Sequence, residues 1–163
     1  MNWKEIYDRG SSVFGGAVSG GLDSCTVTHW LHQNGVNVHC FTVDLGQPDE
    51  ENLQAVADRM MACGASEATI VPGKEMLAEA GLKVLQAQAR YEGGYWNTTG
   101  IARPITVKAI LRKLQDHDIN VLFHGATGRG NDQVRFQLAS NMLQPEMEVY
   151  APWRDQEFLN KFP

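Results

Sequence analysis

Residues 19–24 read Ser19-Gly20-Gly21-Leu22-Asp23-Ser24, and this stretch constrains the fold more than any other. Before it runs Val13-Phe14-Gly15-Gly16-Ala17-Val18, small and apolar enough for a buried first strand. After it, Cys25 to Asn34 reads as a helix that stops at Gly35. A strand, a glycine-rich turn and a helix start together make an anion site. Two glycines let the backbone turn sharply and approach a ligand without Cβ clashes. The unpaired N–H groups of the helix's first turn, at the positive end of its dipole, then face a phosphate. Ser19 and Ser24 add hydroxyl donors. The bland alternative is a turn whose glycines serve geometry alone. Serines on both flanks, an Asp at the helix start and a preceding strand favour the anion site.

The turn is not a Walker A loop, because no Gly-Lys-Ser/Thr occurs in the chain. Its glycine spacing also differs from the dinucleotide fingerprint. It is similar to the pyrophosphate-binding loop of the ATP pyrophosphatases, which split ATP into AMP and pyrophosphate.

The remaining chain alternates strand and helix. Trp3, Ile6 and Tyr7 fit a short amphipathic helix ending at Gly10. Val27, Trp30 and Leu31 give the helix after the turn its buried stripe. Residues 36–43 read as a second strand, followed by a Gly- and Pro-punctuated loop, Asp44 to Asp49. Leu53, Val56, Ala57 and Met60 have helical spacing, closed by Gly64. Residues 67–71 form a third strand, and a helix from about Lys74 to Ala89 is expected to break near Gly81. Residues 91–104, YEGGYWNTTGIARP, lack a period and read as a binding loop, with Pro104 opening the next helix. Val107, Ile110, Leu111 and Leu114 line that helix; 121–123 and 147–151 are the last strands, and a short amphipathic tail follows. This order predicts an α/β fold, an open parallel sheet flanked by helices and doubly wound. The 163 residues suit one domain.

The second glycine-rich turn, His124 to Asp132, also follows a strand and should share the crevice with the first. A phosphate alone would not need Asn131 and Asp132. A zwitterionic amino acid would: its ammonium wants a carboxylate, and its carboxylate wants N–H groups, hydroxyls or Arg.

The net charge of −5 argues against a general nucleic-acid binder. Cys25, Cys40 and Cys63 form no CxxC pair and suit a reducing, cytoplasmic setting. No apolar run reaches membrane-spanning length. His29 and His32 lie three apart, but nothing nearby completes a ligand set, so no metal site is assigned to protein ligands.

Three blocks, SGGLDS at 19–24, YEGGYWNTTGIARP at 91–104 and HGATGRGNDQVRF at 124–136, together resemble argininosuccinate synthase. EVYAPWRDQEF at 148–158 is similar to that family as well. The resemblance implies an adenine-nucleotide α-hydrolase-like fold. It also implies a reaction: citrulline attacks the α-phosphate of MgATP, giving citrullyl-AMP and pyrophosphate, and aspartate then displaces AMP to form argininosuccinate. Carried over by position, Ala17, Val18, Ser19, Gly20, Gly21, Leu22, Asp23, Ser24 and Cys25 would hold ATP, with Val43 at the adenosine and Gly125 and Thr127 also facing ATP. Tyr95 would contact citrulline. Thr127, Asn131 and Asp132 would face aspartate, and Asn131 and Arg135 would also reach citrulline. Asp23 and Arg135 take the catalytic role. The family often has Thr at Ser24 and Lys at Arg129. A citrulline-contacting serine falls at Gly100, leaving Thr98 or Thr99 to replace it; Thr99 is taken into the substrate set. Full family members are more than twice as long and are homotetramers. Their synthetase and oligomerisation domain has no counterpart here, so a monomer or dimer is expected. The chain then reads as the family's ATP-binding domain: a truncation, a partial gene product or a stand-alone form. The competing readings are an ATP- or amino-acid-binding module without turnover, and another ATP pyrophosphatase. Among the latter, the thiolases fit poorly, because neither Cys25 nor Cys63 is placed as a nucleophile.

Overall fold

Alternation along one strand divides the core in two. The computed structural model describes residues 2–48 and 52–162. In β2 (Asn37–Asp44), Val38 and Cys40 face one layer of helices, and Phe41 and Val43 face the other. Both faces are covered, so residues of both parities are buried along it, with only its two ends polar and less covered. β1 (Val13–Ala17), β3 (Glu67–Pro72), β4 (Val121–His124) and β5 (Glu148–Tyr150) join β2 in one parallel sheet of order β3-β2-β1-β4-β5. The chain winds outward from β1 to one edge, then returns to β4 on β1's other side. The carboxyl ends of β1 and β4 therefore flank the point where the strand order reverses, where open α/β sheets leave a crevice.

On one face lie α1 (Trp3–Asp8), α2 (Leu22–Gln33), α3 (Leu53–Ala62) and α7 (Gln156–Lys161), which follows a single 3-10 turn at Pro152–Arg154. Their core is aromatic: Trp30 lies edge-on to Trp3 and to Phe158, with ring centroids 5.8 and 5.1 Å away. The other face is covered by α5 (Thr98–Asp116) and α6 (Asp132–Leu143), burying Val107, Ile110, Leu114 and Phe136 against Leu122 and Phe41. α4 (Lys74–Gln86) buries no residue fully and touches this core through Met76.

The parallel, doubly wound sheet agrees with the sequence reading, and four local expectations change. α2 starts at Leu22, three residues earlier than expected, so Asp23 and Ser24 belong to its first turn. α4 runs unbroken through Gly81, which keeps an ordinary backbone conformation on an open face of the helix. α5 begins at Thr98, so the second half of the expected binding loop is helical and Pro104 sits inside the helix. α6 was not anticipated. Asp49, in the expected loop after β2, lies outside the described residues.

Candidate functional site

Val18 continues β1 by donating to the Phe41 carbonyl at 3.1 Å, and the chain then turns. Gly20 has φ +73°, and a Cβ there would come within 2.7 Å of Val56, so both conformation and space require glycine. Gly21 is the N-cap of α2 and gives no side-chain cap. The first N–H groups of that helix thus lack the partner that a capping side chain would supply. The Ser24 hydroxyl accepts from the Ser19 N–H at 3.3 Å and lies 3.5 Å from the Ser19 hydroxyl. Arg59, from α3, donates to the Gly20 carbonyl at 2.7 Å. That bond fixes the turn and brings a guanidinium to its rim. The second turn packs directly on the first: a Cβ at Gly125 would stand 3.0 Å from the Ser24 hydroxyl.

The two turns and the end of β2 enclose a cleft of about 600 Å³. Of the sequence-assigned residues, Ala17, Val18, Ser19, Gly20, Gly21, Leu22, Asp23, Ser24, Val43, Gly125 and Asp132 line it. The other six are set back from its lining. Cys25 turns its thiol toward the Gly20 carbonyl at 3.6 Å, and burial with the neighbouring Cys63 pushes that thiol up to about 11. It supports the turn from behind. Tyr95 and Thr99 form a small exposed network in which the phenol oxygen lies 2.8 Å from the Thr98 hydroxyl and 3.1 Å from that of Thr99. Hydrogen bonds from Thr98, then from the Thr99 hydroxyl and N–H, with a smaller contribution from the Arg135 charge, lower the phenol to about 8. Thr127 and Asn131 are exposed. Arg135 reaches the cleft through Asp132, to which it donates at 2.9 Å.

Asp132 carries a second guanidinium. Arg103 Nε and Nη2 both donate to its other oxygen, at 3.0 and 2.9 Å. Burial alone would raise this carboxyl; the bonds from Arg103 and then Arg135 outweigh it and hold the group below its usual range. Arg103 and Asp132 line the cleft, and Arg135 is tied to it through its bond to Asp132.

Arg59, Arg103, Thr42, Thr106, Leu45 and Phe136 also line the cleft and were not assigned from sequence. Arg103 stood in plain view as the cation of residues 91–104; its role depends on the helical start of α5, which the sequence hides. Arg59 sits on the polar side of an ordinary amphipathic helix and carries no local signal. Gln47, in the loop expected beside the adenosine, lines the cleft as well, and it braces that loop by accepting from the Leu45 N–H at 2.8 Å and donating to the Val43 carbonyl at 3.3 Å. Gly100 has a local explanation. A Cβ there would fall 2.4 Å from the Asn97 amide, which fills the space a serine would take. His124 holds the second turn from beneath. Its Nδ1 accepts from the Ala126 N–H at 3.3 Å, and its ring stacks on Phe136 at 4.7 Å. Burial depresses it to about 4, so it is neutral and keeps its proton on Nε2.

A family model described as the arginosuccinate synthase N-terminal HUP domain matches residues 15–161. Among curated proteins, argininosuccinate synthase of Rhodopirellula baltica is 43% identical over 148 residues, covering 90% of this chain and 36% of the relative. The chain thus spans about a third of the length of the curated relatives it matches. Two solved structures share the fold. One is described as a predicted subunit of tRNA methyltransferase from Methanocaldococcus jannaschii, with TM-score 0.55, 16% identity, and 91% of this chain and 72% of that one covered. The other is NAD+ synthetase from Burkholderia pseudomallei, with TM-score 0.51, 15% identity, and 98% and 66% covered.

Proposed function

The chain belongs to the argininosuccinate synthase family, and on that premise we propose that it is the ATP-binding domain of an AMP-forming carbon–nitrogen ligase joining citrulline to aspartate. One observation carries the reading: an uncapped helix start, two serines and a guanidinium converge on one cleft at the sheet's reversal point.

The donor set fits a polyphosphate. The N–H groups at the start of α2, with the Ser19 and Ser24 hydroxyls, would hold the pyrophosphate, and Arg59 would offset its charge. Asp23 would otherwise repel phosphate. As an oxygen donor in the same turn, it is the group suited to a Mg²⁺ ion riding on the nucleotide. Val43 and Leu45 would pack on the adenosine. Bound ATP supplies an electrophilic α-phosphorus with pyrophosphate as leaving group, so the chain needs no nucleophile of its own. Its task is to position groups and balance charge. Arg103, Asp132 and Arg135 would receive the amino-acid end of a substrate. Each Asp132 oxygen already accepts from a guanidinium, yet a carboxylate has lone pairs left for an ammonium. The unused guanidinium N–H groups suit a carboxylate. Tyr95, Thr99, Thr127 and Asn131 belong to the same proposal as citrulline and aspartate contacts on the rim. A cytoplasmic setting goes with the three free thiols.

The share of its relatives that the chain spans favours a second reading, in which ATP binds here and turnover requires the remainder of the family's fold. One experiment separates the two. Pyrophosphate release from MgATP is measured with and without citrulline, alongside ATP binding in the same sample. Citrulline-dependent release that Asp23→Ala abolishes supports catalysis by these residues. ATP binding without release supports the second reading. Absence of ATP binding sinks both.

A further inference from the structure

At the end of the sheet opposite the cleft, three side chains from three elements converge. They are His39 on β2, Glu67 on β3 and His117 at the C-cap of α5. The register sets His39 directly beside Glu67. Alternation sends the His39 side chain to the face of Phe41 and Val43, the face that α5 covers. The His39 Nδ1 lies 3.5 Å from Glu67 Oε2, and the His117 Nδ1 lies 3.9 Å from the same oxygen. One ligand atom from each of the three residues lies within 4.8 Å of the other two. The imidazoles meet edge to face with centroids 5.7 Å apart.

Two details point to a cation site. The Thr69 hydroxyl occupies Glu67 Oε1 at 3.2 Å, which leaves Oε2 turned toward both imidazoles. The His39 Nδ1 is buried and has no hydrogen-bond partner among the described residues. Its 3.5 Å approach to Glu67 is an ion-pair distance without hydrogen-bond geometry. A buried polar nitrogen left without a partner is costly, and a metal ion would satisfy it. Around tetrahedral zinc, with bonds near 2.1 Å, ligand atoms stand roughly 3.4 Å apart. The two spacings to Glu67 are close to that value.

We propose that His39, Glu67 and His117 bind a divalent cation of the zinc class, with solvent completing its coordination. Two imidazoles and one carboxylate suit zinc or its transition-metal neighbours and not magnesium, which prefers oxygen. The site is separate from the nucleotide cleft: His39 lies four residues before Val43 on the same strand, on the order of 13 Å. Its ligands come from β2, β3 and α5, so bound metal clips the edge of the sheet to the helix that covers it.

The test is calorimetric titration of the chain with zinc chloride in a Cys25→Ser/Cys63→Ser background, so that thiols do not compete. The expected result is one equivalent bound and a raised melting temperature. His117→Asn and Glu67→Gln should each weaken binding by more than about tenfold, the loss that even an outer partner of a ligand causes. His117 is exposed, so its replacement leaves the core intact and reads the site itself; a metal-free melting temperature equal to the parent's checks this. Cobalt should give the intense visible absorption of a low-coordinate site in the background protein and lose it in His117→Asn. Absence of saturable binding overturns the proposal. So does unchanged affinity in His117→Asn, or loss confined to a His29→Asn/His32→Asn variant.

Discussion

Arg59 braces the first glycine-rich turn and His124 the second. Arg59 holds the Gly20 carbonyl at 2.7 Å and stands on the cleft rim, so Arg59→Ala both loosens the turn and removes a cation facing the ligand. A hydrogen bond from a charged donor contributes about 1.5–3 kcal/mol, and 1.4 kcal/mol is tenfold in affinity. The ATP dissociation constant of Arg59→Ala should rise by at least about tenfold by calorimetry, with the circular dichroism unchanged. His124 sets a pH dependence. Its folded pKa of about 4 lies below the ordinary 6.5, so between those values the unfolded chain binds the extra proton. Stability from this group is complete above pH 6.5, falls as pH drops, and levels off below 4. The slope approaches about 1.4 kcal/mol per pH unit. Urea unfolding at pH 4.5 and 7 should show a smaller pH effect in His124→Gln than in the parent.

Among elements, the start of α5 has the least local support. Asn97 precedes it in a left-handed conformation with φ 51°, its first residues are threonines and a glycine, and Pro104 interrupts its ladder. Tertiary contacts hold it: the Tyr95 phenol receives the Thr99 N–H, and Arg103 grips Asp132 on α6. Arg103→Ala should therefore loosen residues 98–103 while leaving Val107 to Leu114 protected. The Arg103–Asp132 pair is partly exposed and contributes about 1 kcal/mol, so amide exchange in that first stretch should quicken about fivefold. The same reasoning explains what the sequence revealed and what it hid. α2 and α3 were legible from a helical stripe closed by a glycine, β1 and β2 from short runs of apolar, β-branched and aromatic residues, and the first turn because its chemistry is local. α6 was not: Phe136 and Ala139 are buried while Val134, Leu138 and Met142 are exposed, so apolar residues ring the helix and leave no single stripe. The two arginines of the cleft were hidden for a related reason. Their partners are 29 and 39 residues away in the chain, beyond any local pattern.

On the scale of the whole molecule, the first and last helices meet over Trp30. α1 brings Trp3 and α7 brings Phe158 to that ring, and Lys4 and Asn2 both bind Glu157, at 2.8 and 3.2 Å. The surface ion pair adds little. Phe158 is fully buried, and truncating such an aromatic costs about 3–5 kcal/mol. Phe158→Ala should lower the free energy of unfolding in urea by that amount. ATP affinity should stay as in the parent, because the cleft draws nothing from α1 or α7. The placement of the cleft follows from topology: β1 must be central for its carboxyl end to stand beside that of β4. The meeting of α1 and α7 has a different consequence. A fold whose first and last helices are stapled to one another is, mechanically, a ring with a nick in it. A longer polypeptide could enter and leave this fold on one face of the sheet, through helices that do not line the cleft. Tension on both ends would load the clasp around Trp30 first, sparing the first glycine-rich turn until that clasp gave way.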